Sequence, residues 1–126
     1  MRMNAPQRLT TAKQAQEAVA ASGSSPVFIY KHSTQCGISS RAIKEFQDFM
    51  DGEAPGFGYY RVDVIEARAA SDEIESLALV RHESPQVLLF WGSGCVWHAS
   101  HGRITKSELK LQAQALRGRL GGRDSA

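Results

Sequence analysis

The sequence predicts an α/β domain with a mixed central sheet of about four strands flanked by helices. Three observations carry that prediction. An apolar run, Pro26-Val27-Phe28-Ile29-Tyr30, leads into a helical pattern over 37–50 and then a strand pattern from Phe57 to Ile65. Strand, helix and strand within about forty residues make a right-handed βαβ unit with parallel strands. Further on, Val87–Trp91 and Cys95–Ala99 flank the turn Gly92-Ser93-Gly94 and read as a hairpin. Helical patterns before, between and after these units supply cover for both sheet faces.

In chain order, residues 1–9 read as a disordered lead-in, 10–117 as the domain, and 118–126 as a flexible tail. The first helix runs from Thr10 or Thr11 to about Ala21, is rich in helix formers and has threonine available as a cap. Being Ala-rich and weakly amphipathic, it packs as a structural cover. Val27–Lys31 is short and continuously apolar up to its lysine, as expected of a central strand. In the next helix Ile38, Ala42, Ile43, Phe46, Phe49 and Met50 share one face, and the Asp51–Gly56 segment ends it. Arg68 to about Val80 is a third helix. Thr105 to about Leu116 is the last, and Thr105-Lys106-Ser107-Glu108 fits a capping box. Helix, βαβ unit, helix, Pro-initiated hairpin and helix is the thioredoxin-like order. In that plan a functional cysteine opens the helix of the βαβ unit, and a proline that is commonly cis opens the hairpin. Cys36 and Pro85 occupy those two places.

Composition narrows the function. The chain has 126 residues, 42% hydrophobic and 22% charged, with a net charge of +2. It is long enough for one real core. The basic excess sits largely in the terminal segments rather than in a stripe, which disfavours nucleic acid as a partner. No secretory h-region or run of transmembrane length is present, so no membrane association and a cytoplasmic location are expected. Two cysteines in such a chain point to redox chemistry, metal binding or inert packing rather than a disulfide scaffold. Their spacing with the four histidines is not that of a zinc site, so no metal is expected.

Cys36 is the candidate nucleophile. A cysteine between a strand end and a helix start meets unpaired N–H groups and the positive end of the helix dipole, which together stabilise a thiolate. Disulfide exchange needs that thiolate exposed and formed near ambient pH. Lys31 and His32 are candidates for an additional positive charge, but strand alternation sends them to opposite faces. Ser39, at i+3, shares a helical face with Cys36. In dithiol redoxins a second cysteine at that place resolves the mixed disulfide; serine cannot. Ser39 is either a hydrogen-bond donor to the thiolate or simply a polar residue of the first turn. Cys95 belongs at the far turn of the hairpin, about 23 Å from Gly102 along its strand, whereas a disulfide needs Cα atoms within about 7 Å. It is read as incidental. Trp91 and Trp97 are read as packing residues. His98 and His101, three apart on a strand, point to opposite faces and do not chelate together. His101 falls beside the cysteine.

The segments Lys31-His32-Ser33-Thr34-Gln35-Cys36-Gly37-Ile38-Ser39, Asp63-Val64-Ile65-Glu66, Arg81-His82-Glu83-Ser84-Pro85-Gln86 and Val96–His101 resemble the YtxJ-like monothiol bacilliredoxins over roughly residues 12–117. The resemblance implies a cytoplasmic thiol–disulfide oxidoreductase that takes bacillithiol from protein cysteines onto its own cysteine, here Cys36. It implies no bound cofactor, with bacillithiol or a similar low-molecular-weight thiol as co-substrate. The implied partners are thiolated client proteins and an external thiol or reductase. Lys31, His32, Ser33, Thr34, Gly37, Ser39, Ser84, Pro85 and His101 are the residues placed to bind the substrate thiol or support the site. Gly37 stands where family members often carry proline, and Cys95 is an additional thiol.

Two other functions compete. Cys36-Gly37-Ile38-Ser39 differs at one position from the Cys-Gly-Phe-Ser motif of monothiol glutaredoxins, which share an iron–sulfur cluster with glutathione. However, Ser100-His101-Gly102-Arg103 lacks the Gly-Gly-x-Asp loop of that family. The third reading is a non-catalytic binding module with a passive Cys36. A free-thiol pH profile for Cys36 alkylation would favour it.

Overall fold

The structure, a computed structural model, describes residues 6–33, 37–52 and 56–125. Among these, five strands form one sheet in the order β1-β3-β2-β4-β5. They are β1 (Gln7–Arg8), β2 (Val27–His32), β3 (Gly58–Asp63), β4 (Gln86–Trp91) and β5 (Gly94–Ser100). The helices are α1 (Ala12–Ala21), α2 (Gly37–Gly52), α3 (Arg68–Ala78) and α4 (Lys106–Ser125), with a 3₁₀ turn at His101–Arg103. β2 pairs parallel with β3 and antiparallel with β4, and β5 pairs antiparallel with β4. The α/β class and the βαβ-plus-hairpin order are as the sequence predicts.

Alternation along β2 divides the core. Val27 and Ile29 join Val62, Leu88 and Phe90 beneath α1 and α3. Phe28 and Tyr30 join Val87, Leu89 and Ala99 beneath α2 and α4. The alanines of α1 (Ala15, Ala18) and α3 (Ala70, Ala78) are buried in one cluster, where small side chains let the two helices approach closely. On the other face the packing is aromatic. Phe28 meets Phe49 edge-on with centroids 5.2 Å apart, and Tyr30 stacks on Phe46, also at 5.2 Å. Such pairs each contribute about 0.5–1.5 kcal/mol beyond their buried area. They pin α2 along β2 and thereby hold the first turn of α2 beside the C-terminal end of that strand.

Three boundaries differ from expectation. Gln7 and Arg8 lie within the stretch read as a lead-in, yet they pair with Tyr60 and Arg61 of β3 and supply the fifth strand. Burial of Leu9 against α1 and α3 draws this segment in, its amide donates to the Arg61 carbonyl at 2.9 Å, and Arg8 ion-pairs with Asp63. α4 runs through the stretch read as a tail, to Ser125. Its glycines disfavour a helix by about 1 kcal/mol each without ending it as proline would. α3 stops at Ala78 because Leu79 turns left-handed (φ 57°).

The caps and turns follow local chemistry. Thr11 accepts from the Gln14 amide at 3.1 Å, and the Gln14 side chain returns to the Thr11 amide, completing a capping box. Thr105 Oγ1 accepts from the Glu108 amide at 3.2 Å, the N-cap half of the predicted box. The hairpin turn is the pair Gly92-Ser93, with φ of 66° and 67°. Two left-handed central residues match the twist of the flanking strands. Gly58 answers a different demand: a Cβ there would stand 2.9 Å from Val27 Cγ1.

Candidate functional site

The strand register brings the predicted site to one pole of the sheet. Lys31 pairs with Gln86 of β4, and Gln86 with Ser100 of β5. The end of β2, the start of β4 and the end of β5 therefore lie side by side. Ser33 follows β2, Gly37 opens α2, Ser84 and Pro85 precede β4, and His101 follows β5. Cys36 and Thr34 lie outside the described residues.

Around the start of α2, Ser39 is buried and its Oγ accepts from the Ser33 amide at 3.4 Å. Tyr30 Oη donates to the Ser39 carbonyl at 3.4 Å and lies 3.3 Å from Nδ1 of His32. These contacts tie the strand end to the first turn of the helix. Gly37 is exposed, and a Cβ added there would meet nothing within 4 Å. Packing thus does not demand glycine, and the first helical position tolerates proline.

Ser84–Pro85 is a cis peptide bond, as the hairpin-opening position leads one to expect. The Pro85 carbonyl accepts from the His101 amide at 2.9 Å. His101 is not the strand residue it was expected to be. It opens the 3₁₀ turn with a left-handed backbone (φ 55°), and its Nδ1 sits 3.5 Å from Glu83 Oε1. β5 ends at Ser100 because the chain must turn there to reach α4. His101 lies after β5, at the sheet pole where β2 ends and α2 begins, but it does not alternate with His98 along a strand. His98 is exposed, and Trp91 and Trp97 pack against the α2/α4 cluster, as expected.

Lys31 and His32 point to opposite faces. His32 faces α2 through Tyr30; burial first, and the Arg61 guanidinium second, hold its pKa below 6.5. Both effects oppose protonation, so His32 is poorly suited to supply a cation. Lys31 is fully buried on the α3 side, its Nζ 3.0 Å from Nδ1 of His82. Burial lowers its pKa to about 8, against the pull of the Glu75 and Asp72 carboxylates.

His82 and Gln86 were missed as partners of Lys31. The available signal was a lysine in phase with Val27 and Ile29, on a face that had to be buried.

Cys95 occupies the other pole. It pairs with Phe90, which pairs with Val27 at the start of β2. The shift in the β4–β5 register between Leu89 and Phe90 leaves Val96 without a partner in that ladder. Five strand steps, about 16 Å, separate Cys95 from Ser100, far beyond disulfide reach. Burial raises its thiol pKa, the reverse of what a nucleophile needs. Among the described residues no group of three or more histidine, cysteine or acidic side chains could hold a metal ion. No helix there is long and apolar enough to cross a membrane.

The model of the monothiol bacilliredoxin family (BrxC) matches residues 7–109. This chain belongs to the monothiol bacilliredoxins. A solved structure described as a candidate oxidoreductase with a thioredoxin fold is 31% identical, with a TM-score of 0.74, covering 84% of this chain and 91% of that one. Thioredoxin from Malassezia sympodialis superposes with a TM-score of 0.71 at 18% identity, covering 91% of this bacilliredoxin and 94% of its own chain. Thioredoxin f from spinach chloroplast gives 0.70 at 16% identity, covering 93% and 99%. The last two likenesses show the fold. Family membership and the 31% relative together give the bacilliredoxin a redox function of the thiol oxidoreductase class.

Proposed function

We propose that this bacilliredoxin removes bacillithiol, or a similar low-molecular-weight thiol, from protein mixed disulfides through Cys36. The observation that carries the reading is the convergence of Ser33, Gly37, Ser84–Pro85 and His101 at one sheet pole, with Ser33 and Gly37 bracketing Cys36 in the chain. The Cys36 thiolate attacks the low-molecular-weight sulfur of the mixed disulfide. One S–S bond breaks and another forms, and the client leaves as a thiolate that takes a proton from water. An external thiolate then attacks the adduct, forms a disulfide with the departing small thiol and restores Cys36. The net change is an exchange: the client loses its S–S bond to the small thiol, the external thiol gains one, and no outside oxidant is consumed.

The dipole of α2, which begins at Gly37, favours the thiolate, while burial and Arg61 oppose a charge on His32. Ser84 and Pro85 present backbone to the client segment, and His101 borders the place of the small thiol. Ser39 at i+3 leaves the mixed disulfide unresolved within the chain, so the cycle depends on a second thiol from outside. The client partners are thiolated proteins and the reaction is placed in the cytoplasm.

The test compares wild type, Cys36→Ala and Cys95→Ala on a bacillithiolated client protein. Release of the client thiol is expected from wild type and Cys95→Ala and lost in Cys36→Ala. Activity retained by Cys36→Ala, or lost in Cys95→Ala, contradicts the assignment.

A further inference from the structure

Burying an ammonium costs several kcal/mol unless it finds partners, yet Lys31 is fully buried in the α1/α3 face. An ammonium only donates, so the 3.0 Å contact assigns the lone pair of His82 to Nδ1 and its proton to Nε2. Ser71 Oγ approaches the same Nδ1 at 3.4 Å. His82 is gripped through its backbone as well, its amide donating to Glu75 Oε2 at 2.8 Å.

Four residues on, Gln86 closes the loop from the other side, its Nε2 donating to the Arg81 carbonyl at 3.1 Å. Gln86 stands directly across the ladder from Lys31, where paired side chains lie about 4.5–5.5 Å apart at Cβ. Its Oε1 is buried and has no hydrogen-bond partner among the described residues. The orphaned acceptor and the buried donor thus belong to one cross-strand pair. Between His82 and Gln86 lie Ser84 and Pro85.

We propose that Lys31 is a positioning residue for the exchange reaction: through His82 it fastens the loop that carries Ser84 and Pro85 to the strand that leads to Cys36. This inference rests on the exchange reading above. Lys31 touches neither reacting sulfur; it sets the distance and angle at which the client-docking backbone faces the strand that presents the nucleophile. Loosening such a frame weakens client docking in the ground state and the transition state alike, and so raises KM while leaving kcat nearly unchanged.

The test uses Lys31→Met, His82→Leu and His82→Asn in the full chain, the last keeping an acceptor near the place of Nδ1. For a bacillithiolated client, Lys31→Met and His82→Leu should raise KM by about tenfold or more, with kcat within about twofold. His82→Asn should recover most of that loss. Thermal stability, measured alongside, should not fall in Lys31→Met. An unchanged KM in Lys31→Met, or losses that track the melting temperature across the three variants, overturns the inference. Should wild type itself fail on the client, the exchange reading is at fault. Hydrogen exchange of the 81–86 segment then reads the joint directly. Faster exchange in Lys31→Met and His82→Leu supports it, and wild-type exchange in both overturns it.

Discussion

Replacing Lys31 by methionine tests whether a buried charge in this domain serves function at the expense of stability. The lysine titrates at about 8 in the fold against 10.5 when free, because burial outweighs the attraction of Glu75 and Asp72. A depression of that size, at about 1.4 kcal/mol per unit, corresponds to about 3 kcal/mol of penalty on the charged form. Between those two pH values the unfolded chain holds a proton that the folded chain has released. Stability therefore rises with pH across that window, and the penalty is fully present below it. Lys31→Met removes the penalty and loses one hydrogen bond to His82, about 1 kcal/mol. The variant should be about 1–2 kcal/mol more stable than wild type at neutral pH. Wild type should then gain about 2–3 kcal/mol on the variant by about pH 10. Urea denaturation of both proteins at several pH values, followed by circular dichroism, measures this directly. Parallel pH profiles, or a variant less stable than wild type by about 2 kcal/mol at neutral pH, would show that Lys31 carries no such burial penalty.

Leu79 is 90% exposed and left-handed at the end of α3. Leu79→Gly relieves a backbone penalty of about 1–2 kcal/mol and gives up little packing. It should stabilise the fold by about 1 kcal/mol in the same denaturation assay, and a net loss would contradict the left-handed cap. Ser39→Cys places a thiol at i+3 from Cys36, on the turn that meets Ser33. It should let the mixed disulfide resolve within the chain, seen as loss of two hydrogens by intact mass; a continuing need for external thiol would contradict that placement.

Much of this architecture is legible in the residues because burial imposes a period. Val27–Tyr30 is apolar without alternation, and β2 is indeed covered on both faces. The Phe46 and Phe49 spacing finds α2, and Thr11 and Thr105 find two helix starts. β1 was not legible, since two residues carry no period and exposed Gln7 and Arg8 are held by the β3 ladder. The continuation of α4 past Gly118 ran against local propensity. At the site, the gathering of Ser33, Gly37, Ser84, Pro85 and His101 at one pole follows from topology. The left-handed turn at His101 was not, since the polar run Ser100–Arg103 has no period to mark where β5 ends. The Lys31–His82 contact was equally hidden. Strand phase tells which way Lys31 points, but its partner comes from a loop whose path depends on tertiary closure.

The proposed function has Cys36 act alone and depend on an outside thiol. The most direct measurement mixes wild type with a bacillithiolated client, omits any reductant, and reads the chain by intact mass and peptide mapping. One bacillithiol adduct per chain is expected, located on Cys36, that persists until free thiol is added. A disulfide between Cys36 and Cys95, or an adduct carried on Cys95, would contradict it.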